Sequence, residues 1–382
     1  MARVVIIGPA HPLRGGGIVS FNHRLARAFE QAGHECEIWS FSLQYPSFLF
    51  PGTTQYSDQP APQGLRIYSV INSLNPINWW SVGRRIKTLQ PDLVVVRFWL
   101  PLMGPSLGTI LSIIKKNNHT RIVCIADNIV PHEKRPGDRP FTRYFLRQCH
   151  GFITMSDQVS RDLQIFEKHK PHKQVAHPLY DNFGEPASKE VARKRLGLAE
   201  SQKIVLFFGF IRPYKGLDLL LQAMADKRLS EQNITLLIAG EYYENAQPYL
   251  ALIDRLLLKD RVRCDTHFIA DNEVRYYLCA ADVVIQPYKH ATQSGVTPLA
   301  YHFERPMIVT RVGGLADAVT HEEAGIVCEP DSKAIADAIL RFYELGEDHF
   351  AAGIKSQKEK LSWNKLVDTT LSLAGLTHYE KS

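Results

Sequence analysis

The 382-residue sequence carries six cysteines, Cys36, Cys124, Cys149, Cys264, Cys279 and Cys328, and no two of them form a CxxC pair. Their scatter indicates neither a zinc site nor a disulfide framework, and a reducing cytoplasm is the expected setting. No apolar run reaches the roughly 20 residues of a membrane span. The N-terminus enters a strand at once, without the layout of a secretory signal. Charge of one sign is scarce as well: 45 Lys and Arg against 39 Asp and Glu leave a net +6. That excess suits anionic substrates or an anionic membrane face. It is not the signature of a nucleic-acid binder, and no basic cluster with interleaved aromatics accompanies it. His132 and Glu133 lack the second histidine of HExxH, and the histidines between Lys168 and His177 have no metal-ligand spacing, so no metal is expected. A dinucleotide fingerprint is incomplete: Gly15 and Gly17 give only GxGxxS, and the second strand does not end in an acid. No GKS or GKT follows, so a Walker loop is excluded too.

What is present is alternation. A hydrophobic content of 45% with 22% charged residues belongs to a globular chain, and the length calls for two domains. Strands are predicted at Arg3–Ile7, His34–Phe41, Leu65–Ile71, Asp92–Phe98, Arg121–Ala126 and Gly151–Met155. Helices are predicted between them, one carrying Trp79 and Trp80, which are assigned to the core. Tyr45–Gln63 reads as a long surface loop. Pro178–Pro186 reads as a linker, and a second series of strands follows at Ile204–Phe208, Thr235–Ala239, Val262–Cys264, Val283–Gln286, Pro306–Thr310 and Ile326–Cys328. Two alternating halves predict two doubly wound, Rossmann-like α/β domains facing one another across a cleft, the natural place for a substrate.

The most informative stretch is Val205–Met224. Apolar Ile204–Phe208 reads as a buried parallel strand, which Gly209 ends. From Leu217 the period becomes helical, with Leu217, Leu220, Leu221 and Met224 on one face. Arg212 and Lys215 lie in the loop between, where helix amides lack partners. Two cations at such a junction make a receptor for an anion, most naturally a phosphate. In the first half, Arg121–Ala126 delivers Asp127 and Asn128 to a strand's carboxyl end. There Asp127 can hold or deprotonate a hydroxyl, or the pair can cap a turn; the residues leave both open.

These stretches, with IAGEYYENAQPYL, DNEVRYYLCAADVVIQPY and SGVTPLAYHFERPMIVTRVGGLADAV, resemble family 4 retaining glycosyltransferases of the GT-B fold, bacterial envelope-polysaccharide enzymes among them. The likeness covers nearly the whole chain. It implies an acceptor-side domain over residues 1–180, with a C-terminal helix, 358–382, packing back on it. It implies a nucleotide-sugar domain over 187–357. Arg212 and Lys215 would hold the diphosphate of a nucleotide-sugar donor, and Gly16 and Gly17 would let the first loop approach it. Asp127 and Asn128 stand where the family motif has His-Asn. The resemblance would make Glu241 cleft-facing, Phe268 and Ile269 neighbours of the nucleobase, and Ser294, Gly295, Val296 and Thr297 a helix start offering amides to phosphate and sugar. The implied reaction transfers a sugar to a glycan or lipid-linked acceptor with retention, without metal or other cofactor; no DxD occurs in the chain. A peripheral contact with the inner membrane face fits such an acceptor.

Two departures from the family pattern stand out. The two glutamates usual near the last loop are missing from Thr292–Tyr301, and Glu304 falls too late. Asp127 replaces a histidine. Two alternatives therefore stay open: a GT-B sugar-nucleotide epimerase, and an inactive sugar-nucleotide-binding partner subunit.

Overall fold

Each apolar run becomes a parallel strand in the computed structural model, which describes residues 1–14, 17–46, 54–57, 60–130, 136–291 and 294–376. The chain forms two units, Met1–Pro178 with Ser362–Ser382, and Leu179–Leu361.

The first unit runs β1 (Arg3–Ile7), α1 (Gly17–Gln31), β2 (Glu35–Leu43), β3 (Arg66–Asn72), α2 (Pro76–Leu89), β4 (Leu93–Phe98), α3 (Gly104–Ile114), β5 (Arg121–Ala126), α4 (Asp138–Leu146), β6 (Gly151–Thr154), α5 (Asp157–Phe166) and β7 (His172–Gln174). Its seven strands, all parallel, lie in the order β3-β2-β1-β4-β5-β6-β7. β1, β4 and β5 are buried almost throughout, which is why they read as unbroken apolar runs. Helices α2 to α5 pack in succession, each on the next, whereas α1 packs with the last helix of the chain. Right-handed crossovers account for this split, because the chain leaves β1 toward β2 and leaves β3, β4, β5 and β6 the other way.

The second unit runs α6 (Lys189–Leu196), β8 (Lys203–Phe208), α7 (Leu217–Met224), α8 (Lys227–Glu231), β9 (Ile234–Ala239), α9 (Gln247–Arg255), β10 (Val262–Asp265), α10 (Asp271–Ala280), β11 (Val283–Gln286), α11 (Val296–His302), β12 (Met307–Thr310), β13 (Gly325–Cys328), α12 (Ser332–Leu345) and α13 (Ala351–Lys360). Its parallel sheet has the order β10-β9-β8-β11-β12-β13. Asp282, just before β11, ties several elements together. It accepts from Lys189 Nζ at 2.9 Å, Arg193 Nη2 at 3.0 Å, Ile204 N at 2.7 Å and Tyr343 OH at 3.0 Å.

The segment predicted as a linker belongs mostly to the second unit. Tyr180 and Phe183 are buried against each other, and His302 Nε2 lies 3.0 Å from Gly184 O. The chain returns to the first unit at Ser362, not at residue 358. The reason is that α13 keeps Ile354 buried in the second unit. Helix α14 (Trp363–Ala374) starts after a break at Leu361, capped by Ser362 Oγ, which accepts from Lys365 N. Its Trp363 ring lies 4.9 Å from Phe21 of α1, under the Arg24 guanidinium.

Trp79 and Trp80 part company. Trp79 packs on the core and donates its Nε1 proton to Asn72 O at 2.7 Å, but Trp80 is 52% exposed, so the core assignment fails for it. They are adjacent on a helix and so face about 100° apart, which puts only one of them toward the sheet.

Candidate functional site

In both sheets the first strand of the unit is central, and the chain order reverses beside it: between β1 and β4, and between β8 and β11. The carboxyl edge at such a switch point is where open α/β sheets take ligands.

In the second unit, Gly209 ends β8 with φ +98°, and the loop Arg212–Gly216 turns back over β11. Gly216 has φ +69°, and a Cβ there would lie 1.9 Å from Pro287 O. Only glycine fits. Gly216→Ala is expected to lower stability by about 2–4 kcal/mol, from a strained left-handed alanine plus displaced backbone. A urea denaturation midpoint reads it, and a wild-type midpoint would refute the contact. The turn folds Lys215 inward. Its side chain is 9% exposed, and Nζ lies 5.6 Å from the Tyr288 ring centre and 3.1 Å from where a Gly209 Cβ would stand. Burial first, and the Arg212 charge second, depress the Lys215 ammonium to about 7. Arg212 is half-buried with its guanidinium 5.1 Å from the Tyr243 ring centre. Among the described residues, neither cation has a carboxylate within ion-pair distance.

Val296 also closes on this point, with its Cγ2 3.7 Å from the same Gly209 position. Ser294 Oγ is 3.2 Å from the Tyr288 hydroxyl and accepts from Val296 N, the first residue of α11, at 3.2 Å. Gly295 packs beside the Tyr180 ring. Thr297 is the second residue of α11, and its hydroxyl exchanges hydrogen bonds with the Gln286 amide at 3.1 and 3.3 Å inside the core. Glu241 is buried at the end of β9, its carbonyl accepting from Ile211 N at 2.9 Å. Phe268 and Ile269 lie between β10 and α10, two strands from β8, or about 10 Å along the edge. Glu304 follows α11 at the end away from the site, where it pairs with Lys358 at 2.8 Å.

In the first unit, Gly17 is the first residue of α1; Gly16, His132 and Glu133 lie outside the described residues. Asp127 and Asn128 follow β5, both amides pointing to Phe98 O. Arg97, next to last in β4 and 1% exposed, grips both Asp127 oxygens, with Nε donating to Oδ2 at 2.9 Å and Nη2 to Oδ1. Its guanidinium lies 3.9 Å from the Phe21 ring centre. A carboxylate held by both prongs of a guanidinium is a poor base, which argues for Asp127 as a positioning group and against deprotonation. Arg97 Nη1, Asn22 Oδ1 and Asn128 Oδ1 are buried without a hydrogen-bond partner among the described residues.

Arg97, Tyr243 and Tyr288 were missed by the sequence reading. Arg97 had a signal, a lone charge inside LVVVRF. A buried arginine in a central strand needs an acid nearby.

Residues 202–344 match the family described as Glycosyl transferases group 1, and residues 15–174 match Glycosyltransferase Family 4. The chain belongs to the family 4 glycosyltransferases. A D-inositol 3-phosphate glycosyltransferase of Segniliparus rotundus is 32% identical over 148 residues, 38% of this chain and 32% of that protein. This family member spans about a third to a half of the length of the curated relatives it matches. Sucrose-phosphate synthase from Thermosynechococcus elongatus superposes with a TM-score of 0.73 at 18% identity, covering 98% of both chains. Anabaena HepE in complex with UDP superposes with 0.72 at 16% identity, covering 97% and 99%. At these identities the likeness establishes the fold, GT-B, with its two Rossmann-like domains.

Proposed function

We propose that this chain transfers a sugar from a nucleoside-diphosphate sugar to a glycan or lipid-linked acceptor, with retention at the anomeric carbon. The observation that carries it is Lys215: a buried ammonium beside Arg212, at the switch point of the second unit, with no carboxylate paired to either among the described residues. Burying such a group without a partner is costly, and an anionic ligand offsets that cost. The diphosphate of the donor is that ligand. As the bond from the anomeric carbon to phosphate oxygen breaks, negative charge grows on the leaving oxygens. Lys215, Arg212 and the amides near Val296 stabilise it. The leaving phosphate takes the acceptor proton, and Asp127, fixed by Arg97, orients a hydroxyl. Glu241, Phe268 and Ile269 line the sugar and base side. No metal is assigned a part. Because relatives of this fold include one solved with UDP and with UDP-glucose, uridine donors are the first to test.

The position of Lys215 makes binding pH-dependent. The free amine titrates near 7, and a bound diphosphate favours its charged form. Binding therefore takes up a proton, and affinity falls as pH rises from about 6 to about 9, by up to tenfold per unit. Among the described residues, the charged and titratable groups recorded against Nζ are Arg212 and Tyr288. Calorimetry of nucleotide-sugar binding in buffers of different ionisation enthalpy measures the proton. Uptake is expected in wild type and its loss in Lys215→Met. Binding without proton uptake would separate Lys215 from the diphosphate.

A second reading has one observation behind it. No glutamate occupies 294–301, and Glu304 is committed to Lys358 at the wrong end of α11. A binding subunit that holds donor without transfer fits that composition. A product assay with and without acceptor distinguishes it, and also distinguishes an epimerase, which changes the donor when no acceptor is present.

A further inference from the structure

Both cations of the loop between β8 and α7 face a tyrosine ring. The Arg212 guanidinium lies 5.1 Å from the Tyr243 ring centre, and the Lys215 ammonium 5.6 Å from that of Tyr288. A carboxylate in either place would neutralise the charge and occupy its N–H groups. A ring face instead attracts the cation through its quadrupole. It leaves the edge of the guanidinium, with its N–H donors, directed at phosphate oxygens.

The backbone explains how Tyr243 comes to Arg212. Beyond the sheet, the exits of β8 and β9 stay bonded to each other. Gly209 N donates to Ala239 O at 2.9 Å, Ile211 N to Glu241 O at 2.9 Å and Tyr243 N to Ile211 O at 3.0 Å. Gly240 allows this approach, since a Cβ there would lie 2.3 Å from Gly209 O. Ile211 and Tyr242 form a parallel bridge, so their neighbours in the chain turn to the opposite face. Ile211 is fully buried. Phe210, Arg212 and Tyr243 share the other face. There the Phe210 and Tyr243 rings stack, with centres 4.1 Å apart and planes at 30°. Arg212 is itself extended, with φ −140° and ψ 153°, which carries its side chain along the same face as Phe210.

We infer that Tyr243 is a positioning residue: its ring, backed by Phe210, holds the Arg212 guanidinium against the leaving diphosphate of the donor. The inference rests on the transferase reading and adds to it the group that fixes the second cation. Charge on the leaving oxygens grows as the bond to the anomeric carbon breaks. A displaced guanidinium therefore lowers kcat more than it raises KM. The ring face does this work, and the Tyr243 hydroxyl has no part in it.

The test reads release of nucleoside diphosphate from the preferred nucleotide-sugar by the full chain. Tyr243→Leu is expected to lower kcat about tenfold, with KM for the donor changed by less than about threefold. Tyr243→Phe, which restores the ring without the hydroxyl, should recover all but about twofold of the rate. In an Arg212→Met background, Tyr243→Leu should lower kcat no further. Phenylalanines bearing one, two and three ring fluorines at position 243 keep the shape and drain negative charge from the ring face. The logarithm of kcat should fall stepwise along that series. A packing role would not move with fluorine number, and the series reads the ring even if Tyr243→Leu loosens the fold. A flat fluorine series overturns the proposal. So does a Tyr243→Phe variant as slow as Tyr243→Leu, which would assign the effect to the hydroxyl, and so does a full tenfold loss on top of Arg212→Met. Wild type that turns over no nucleoside-diphosphate sugar would overturn the transferase reading and this inference with it. An active wild type with a flat series would remove the Tyr243 assignment alone.

Discussion

Lys215→Met is expected to lower kcat for the preferred nucleotide-sugar by about a hundred- to a thousandfold while raising the melting temperature. The two effects have one cause. The Lys215 amine is buried among Gly209, Tyr288 and Val296 with no carboxylate within ion-pair distance among the described residues, and its ammonium is depressed to about 7. Its ordinary value near 10.5 applies when unfolded. The unfolded chain therefore binds more protons between those values, so the site opposes folding most below pH 7 and stability recovers as pH rises. Methionine has nearly the same length and no charge, so it removes that opposition. It also removes the donor aimed at the leaving phosphate, and loss of one such group has an effect of about 10²–10³ in rate. Arg212→Ala is milder because Arg212 is partly solvated, but it acts on the same step. A single-turnover assay with a thermal melt on the same sample checks both halves. Unchanged turnover in Lys215→Met would remove the diphosphate grip, whereas a collapse of both stability and turnover would mark Lys215 as a packing residue.

What could be read in advance follows a physical line. The β8–loop–α7 junction was legible because local pattern fixes it: an apolar run, a glycine break, two cations, then leucines at helical spacing. The same holds for the buried strands, whose ends shift by only a residue or two. Helix α6 escaped notice since KEVARKRL has almost no apolar stripe; it is held by a Ser188 cap and by Arg193 reaching Asp282, 89 positions away. The place of Thr297 at a helix start bears only on its backbone amide; its hydroxyl is bonded to Gln286, a partner that only tertiary packing reveals. Trp80 looked like core because a tryptophan pair usually is; the period of α2 put one ring in and one out. Local chemistry announces a strand, a glycine break and a loop with two cations. It does not announce which distant side chain will satisfy a given polar group.

Arg97→Met is expected to destabilise the first unit by about 3–5 kcal/mol at neutral pH, the cost of leaving a buried carboxylate without its cation. The bidentate contact to Asp127 and the Phe21 ring beneath the guanidinium leave little room for water to substitute. Adding Asp127→Leu to Arg97→Met removes the stranded charge and should recover most of the loss, as replacement of whole buried pairs by apolar groups does. Urea titrations of the four proteins across pH give the coupling directly. Strong pairing predicts a double variant more stable than Arg97→Met alone. Additive losses would mean that the two residues act independently, and Asp127 would then be free to serve as the base that its present pairing argues against.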